Sequence, residues 1–398
     1  MNPVTDHLIP KPAKAGIRVC KSPDIYAKTV DVGDTDSKRS TVAVFKTAPE
    51  RVLDDYKRLM EAAGLRASLD PSVGTIVKNN ISWHIMYPSA NTTPWQLEAV
   101  LAYLSDCSFK EVVVVQNETV VTSAAKGERN NRYVDIYRRF GVKVLHNFKP
   151  QEMRFVPYRP KARMNVLDRI YPDAIRIPDY FIGRNIVHLP TVKCHIYTGM
   201  TGAMKNAFGG LLDNSRHYCH SRIHETLVDL LAIQREIHPG IFTVMDGTTA
   251  GNGPGPRTME PVEMNVLLAS ADPVAADAVS CRLMGLEPDN IRCIRLAHEQ
   301  GLGCGRLSDI HTVGTPLSEF RFQFRTGQNF ASRTGRLLWF GPLRALQRLA
   351  FHTPLVYIFI FASAFYHDRF WYPILGRTRV ERWLKRSPWG ALFQRYKE

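Results

Sequence analysis

The feature that most constrains the fold is an alternation in the first half of the chain. TVAVFK (residues 41–46) reads as a strand, 49–64 as a helix, GTIVKN (74–79) as a strand, 94–104 as a helix, and EVVVVQN (111–117) as a fully buried strand. A continuous Val run flanked by helical periodicity is the mark of a parallel sheet covered on both faces. The reading is therefore α/β, with a mostly parallel sheet. Thr93, Pro94 and Gln96 have the residues of a capping box with proline at the first helical position, which fixes one helix start. Lys78, Asn79 and Asn117 then fall at carboxyl ends of strands, where open α/β folds place their ligands. The pattern resumes with NIVHL (185–189), a helix near 223–237, IFTVMDG (241–247), VLLAS (266–270) and a helix over 273–284. Two lobes are expected, about 41–180 and 181–320. An extended lead-in over 1–40 precedes them and a helical tail over 321–398 follows. Residues 118–180, rich in Arg, Pro and Tyr, read as an insertion or lid.

Chemistry concentrates between Leu189 and His220, which collects two lysines, three histidines and four glycines. Lys193 and His195 are spaced i, i+2 and project to one side of an extended segment, and 201–208 reads as a short helix carrying Lys205. Two ammonium groups and an imidazole near a helix start suit a carboxylate or phosphate, and burial would bring a lysine pKa into the range of a base. MDGTTAGNGPGPR (245–257) places Asp246 before a glycine-rich loop able to cradle an anion; it matches neither a dinucleotide nor a Walker A fingerprint. His217, His220 and His224, spaced i, i+3, i+7, would form one stripe on a helix and are the candidate metal ligands. Asp272 before Pro273 reads as a helix N-cap.

Charge is unevenly placed. The formal net charge is +15, but residues 321–398 hold fourteen Lys/Arg against three acidic residues, so most of the excess belongs to the tail. No nucleic-acid module accompanies it, so nucleic acid is not the expected partner. Instead LVYIFIFASAFY (355–366), with Trp371, Trp383 and Trp389 and the arginines around them, suits attachment of residues 336–398 to an anionic membrane surface. The alternative is packing on the body or across an oligomer interface. Seven scattered cysteines without a C-x-x-C argue for a reducing compartment. With no apolar signal region at the N-terminus, the expected location is cytoplasmic, peripheral at the inner face of the membrane.

IVKNN, LPTVKCH, TGAMKNAFGG, DG with GNGP, ADPVAADAV and a late GLG at 301–303 stand in one order over roughly residues 40–315, and together they resemble the domain of unknown function 362 family. The resemblance implies functional positions at Lys78, Asn79, Lys193, His195, Thr201, Lys205, Asn206, Gly209, Asp246, Gly247, Gly253, Pro254, Asp272 and Asp277. Many members carry an appended ferredoxin-like cysteine module; this chain has the basic, aromatic tail instead, and an iron–sulfur cluster is not expected. K-x-H, T-G-x-x-K and the later His217 are similar in arrangement to the lactate racemase family, whose histidine, glycine-rich turn and lysine bind a nickel-pincer nucleotide. The functional expectation is an enzyme taking a small anionic substrate, or a metal or nucleotide-like cofactor, for proton or hydride transfer of redox or isomerase type. Lys193, His195, Lys205 and Asp246 are the expected catalytic groups, and Lys78, Asn79, Thr201, Gly202, Asn206, Gly209, Gly247 and Gly253 the binding groups. The alternative is a non-catalytic ligand-binding protein on the membrane surface.

Overall fold

The computed structural model describes residues 40–117, 119, 121–351 and 353–396. The lead-in expected over 1–40 lies outside the described residues apart from Ser40. Thirteen strands are described: β1 (Ser40–Lys46), β2 (Thr75–Asn79), β3 (Val112–Gln116), β4 (Lys143–His146), β5 (Phe155–Tyr158), β6 (Ile175–Pro178), β7 (Asn185–Leu189), β8 (Thr191–His195), β9 (Gly199–Thr201), β10 (Ile241–Asn252), β11 (Glu260–Val262), β12 (Val266–Ser270) and β13 (Ile310–Gly314). The main path of the large sheet runs β13-β1-β12-β10-β7-β2-β3-β4. The β10-β7-β2-β3-β4 block is parallel throughout, and β12 runs antiparallel to both its neighbours. β8 continues past β7 to pair with the far half of β10 and turns back on β9. β5 and β6 form a separate antiparallel pair.

Ten helices matter to the argument: α1 (Val52–Ala62), α2 (Pro94–Asp106), α3 (Tyr133–Phe140), α4 (Ile223–Ile237), α5 (Pro273–Leu283), α6 (Arg292–Glu299), α7 (Phe330–Trp339), α8 (Val356–Ala364), α9 (Arg377–Arg386) and α10 (Pro388–Arg395). The box that starts α2 is formed: Thr93 accepts the Gln96 N–H and Gln96 accepts the Thr93 N–H, both at 3.3 Å. Asp272 caps α5 by accepting from Val274 and Ala275.

The two-residue period of each strand sorts its side chains between layers. Val77, Val114, Val187, Val244 and Leu267 face a core built with α1, α2 and α3. Ile76, Val113, Ile186, Met245 and Leu268 face the opposite core, built with α4, α5 and α6. By the same parity Lys78 belongs with Ile76, and Asp246 with Val244. That single distinction decides which of them reaches the site.

The tail is helical and joins the cores. Trp383, Trp389 and Phe393 from α9 and α10 are buried beside Leu97 and Trp95, and Trp371 is buried with Trp83 and Tyr87. The Trp389 indole donates to Asn265 Oδ1 at 2.7 Å and the Trp383 indole to Thr249 Oγ1 at 3.1 Å. A core complete by about residue 320, as the sequence pattern suggests, is therefore corrected: the last two helices supply part of it. Among the described residues no helix is long and apolar enough to cross a membrane.

Candidate functional site: a cationic cavity at the strand ends

A cavity of about 370 Å³ opens where the carboxyl ends of β2 and β8 meet the loop after β10. Its wall includes Lys78, Asn79, Asn117, His195, Tyr197, Lys205, Asn206, Gly209, Arg216, Pro254 and Arg257, with Trp339, Ser363 and His367 closing it from the tail. Among the described residues no carboxylate side chain lines it.

Each cation is placed by its local sequence. Lys78 ends β2 and is 1% exposed; its ammonium donates to the Asn79 carbonyl at 2.6 Å. It fits because Gly210 leaves room: a Cβ there would lie 2.7 Å from Lys78 Cε. Burial, with the charge of Arg216 second, pushes Lys78 down to about 7. Lys205 sits on the turn Ala203–Asn206, its ammonium 5.3 Å from the centre of the Phe208 ring, and burial followed by Arg216 brings it to about 8. His195 ends β8. Its Nδ1 accepts the Tyr197 N–H at 3.2 Å, which leaves Nε2 to carry the proton of a neutral ring, and burial, then Lys205, hold it well below the usual imidazole range.

Two polar atoms at this wall have no hydrogen-bond partner: Asn79 Oδ1 and Arg257 Nη1. Buried polar atoms are almost always satisfied, so an acceptor and a donor left open at one cavity mark where a ligand's own polar groups belong. The other guanidinium nitrogen of Arg257, Nη2, donates to Ser363 at 3.3 Å, and burial pushes the group down to about 10.

The turn that carries Lys205 is held from α5. Asp277 accepts the N–H groups of Ala203 at 2.6 Å and Met204 at 3.1 Å, and a Cβ at Gly202 would lie 2.0 Å from its Oδ1. Asn206 ties the turn to the sheet by donating to the Lys78 carbonyl at 2.9 Å.

Several sequence-predicted residues are elsewhere. Lys193 is sealed: its ammonium donates to the Ala90 carbonyl at 2.9 Å and to Thr191 Oγ1 at 2.6 Å, and it does not line the cavity. Asp246 is not at a strand end, because β10 runs on to Asn252. Its carboxylate faces α1 and α2, accepting from Tyr56, Thr93 and Trp95 at Oδ2 and from the Thr248 N–H and hydroxyl at Oδ1. Neither side chain reaches the cavity expected to hold it. Thr201 pairs with Lys193 across the β8-β9 hairpin, Gly247 is packed between Val192 and Val266, and Gly253, at φ +110°, shapes the loop beside the cavity.

His217 and His220 both line the cavity, whereas His224 does not. Residues 214–222 form a 3-10 helix, which breaks the expected stripe. His217 Nε2 donates to the Phe351 carbonyl at 3.1 Å, His220 Nδ1 donates to the His217 carbonyl at 2.9 Å and stacks on Trp339, and His224 Nδ1 accepts the Cys293 N–H. Among the described residues no group of three or more His, Cys, Asp or Glu is arranged to hold a metal ion. The donor set of the cavity suits an anion, including the phosphate of a nucleotide-like cofactor, better than a cation.

Arg216, Arg257 and Tyr197 were not singled out by sequence reasoning, although all three lie in or beside the stretches it examined. Ser363, Trp339 and His367 had no local signal, since only the fold brings the tail across the cavity.

The family model described as "Domain of unknown function (DUF362)" matches residues 75–282, just over half of the chain. The chain is 30% identical over 124 residues to the thylakoid-associated protein sll1697 of Synechocystis sp. (strain ATCC 27184 / PCC 6803 / Kazusa). That stretch is 29% of this chain and spans 37% of the relative's length. No solved structure matches.

Proposed function

The chain belongs to the domain of unknown function 362 family, and we propose that it is an enzyme that binds a small organic anion in the cationic cavity and moves a proton on it. The observation that carries this reading is a wall with two lysines and two arginines, in a space the size of a small-ligand site. Asp368 and Asp213 act on Arg257 and Arg216, whereas the buried lysines stay charged only at a cost unless a ligand anion completes them. Arg257, with an open Nη1, is the group to grip a carboxylate or phosphate oxygen. Lys205, brought to about 8, supplies a neutral amine at the upper end of physiological pH and serves as the base. His195, neutral with its proton on Nε2, donates a hydrogen bond to the charge that develops. Lys78 adds a second titratable amine to the same cavity.

The test is calorimetry with a panel of small carboxylates and phosphates, followed by proton NMR of any binder in D2O. Binding that is lost in Arg257→Met, with carbon-bound hydrogen exchange lost in Lys205→Met, is the expected result. Tight binding without exchange or turnover would replace the enzyme with a ligand-binding protein.

A second feature supports attachment at a membrane surface: the exposed apolar surface of the tail. The relative matched over part of its length is itself named as thylakoid-associated. Flotation of the full chain with vesicles checks it.

A further inference from the structure

The helices that close the cavity are the same helices that leave a large apolar surface uncovered. Among the described residues all but two of the large apolar side chains that are strongly exposed lie between Phe330 and Leu375, the exceptions being Leu53 and Ile182. Helix α8 buries none of its residues, although eight of its nine are apolar or aromatic. Isolated exposed leucines are ordinary, whereas a contiguous run of Ile358 at 62%, Phe361 at 70% and Phe365 at 55% exposure marks a docking face.

The inner and outer faces alternate along the chain. Ser363 and His367 line the cavity while Phe361, Phe365 and Phe370 face outward, and Trp339 lines it while its neighbour Phe340 is 44% exposed. One thin helical layer separates the cationic cavity from whatever covers the apolar face. That covering layer has a stated charge, because Arg333, Arg336, Arg369, Arg377, Arg382, Lys385 and Arg386 are all exposed on these and the following segments. An apolar band too short to span a bilayer, edged by arginines, fits the interface of an anionic membrane.

We propose that the tail docks on an anionic bilayer and that the cavity receives the anionic headgroup of an amphiphile resident in that bilayer, its chain passing out beside α7 and α8. The proposal deepens the anion-binding reading and rests on it. The cavity wall carries cations, Lys78, Lys205 and Arg257, together with the aromatic rings of Tyr197, Phe208 and Trp339, which suits a charged headgroup and the first carbons of a chain. At about 370 Å³ it is near the small end of ligand sites, sized for a headgroup and the start of a chain rather than a whole lipid.

The experiment uses the full chain with phosphatidylcholine vesicles, with and without phosphatidylglycerol, and compares butyl phosphate with dodecyl phosphate as probes. The protein should float with the anionic vesicles, and less so in high salt. Dodecyl phosphate should bind at least about tenfold tighter than butyl phosphate. The double variant Ile358→Glu, Phe361→Glu should lose flotation and the chain-length advantage and keep butyl phosphate affinity. Arg257→Met should do the reverse, floating normally while losing both phosphates. Equal affinities for the two probes, undisturbed flotation of the double variant, or a stable dimer in solution that the double variant dissociates would each overturn the proposal. Failure of every small anion to bind, with flotation intact, would instead sink the anion-site reading.

Discussion

Asp277 accepts the backbone N–H of Ala203 at 2.6 Å, so a carboxylate on α5 caps the turn that carries Lys205 into the cavity. The site is thereby fastened to a residue that does not line it. Gly202 completes the joint, since any Cβ there collides with that carboxylate.

Gly202→Ala should therefore lower thermal stability and weaken anion binding by about tenfold or more, because the turn must move to admit a methyl group. Asp277→Ala should act in the same direction by leaving two buried N–H groups unpaired, at about 2–4 kcal/mol. Thermal melts and calorimetry on the same samples check both. A Gly202→Ala protein with wild-type binding would show that the turn does not set Lys205.

The lysine pair predicts a pH dependence with a definite sign. Burial and Arg216 bring Lys78 to about 7 and Lys205 to about 8, and an anion prefers both amines charged. Affinity should be greatest below pH 7 and fall as pH rises through 7 to 9, each deprotonation removing one attractive charge. Titration across pH 6–9 with an anion whose own charge is constant over that span gives the slope. A flat profile would mean that neither amine meets the ligand.

Lys78→Met should stabilise the fold while weakening anion binding. The folded pKa of Lys78 lies below that of the unfolded chain, so at and below pH 7 folding pays to bury a charge that the unfolded state keeps solvated. Removing the amine should raise stability by about 1–3 kcal/mol at pH 7. The gain should fade between pH 7 and 10.5, where the native amine is already neutral. Melting curves at pH 6.5 and 9.5 separate this from simple repacking.

The contrast between Lys78 and Asp246 shows what was legible in the sequence. Strand alternation and the buried Val run give the α/β sheet directly, and they put Lys78 at a strand end where it stands. Asp246 looks equivalent, standing near the end of an apolar strand pattern and followed by a glycine-rich stretch. What separates them is that β10 continues six residues further and that its register turns Asp246 toward α1. Both facts depend on pairing with β8 and β12, which no local pattern encodes. The histidine stripe failed for a related reason: its spacing assumes an α-helix, and the segment winds as a 3-10 helix. Arg257 was in a motif singled out for its glycines, and its value lies in a tail helix more than a hundred residues away.

Asp246 itself should be a stability residue. Its two oxygens accept five donors from α1, α2 and the strand, and Asp246→Ala would strand three buried side-chain donors at once. A loss of about 3–5 kcal/mol is expected. Any folded fraction should still bind anions, since the cavity lies on the other face of the sheet. Calorimetry normalised to the folded fraction tests that separation.

The tail offers the sharpest test of how its two faces differ. Trp389 is 1% exposed, its ring lies 5.4 Å from that of Trp95, and its indole N–H is donated to Asn265. Trp389→Ala would open a cavity and leave the Asn265 oxygen unpaired, which should cost about 3–5 kcal/mol. Phe361, 70% exposed on α8, has little to lose, and Phe361→Ala should fall within about 0.5 kcal/mol of the parent. Denaturant melts of the two variants in the absence of lipid measure the difference. Equal, small effects would mean that the tail is an appendage throughout. A large loss confined to Trp389→Ala would mean that α10 belongs to the core while α8 is held in reserve for a surface outside the molecule.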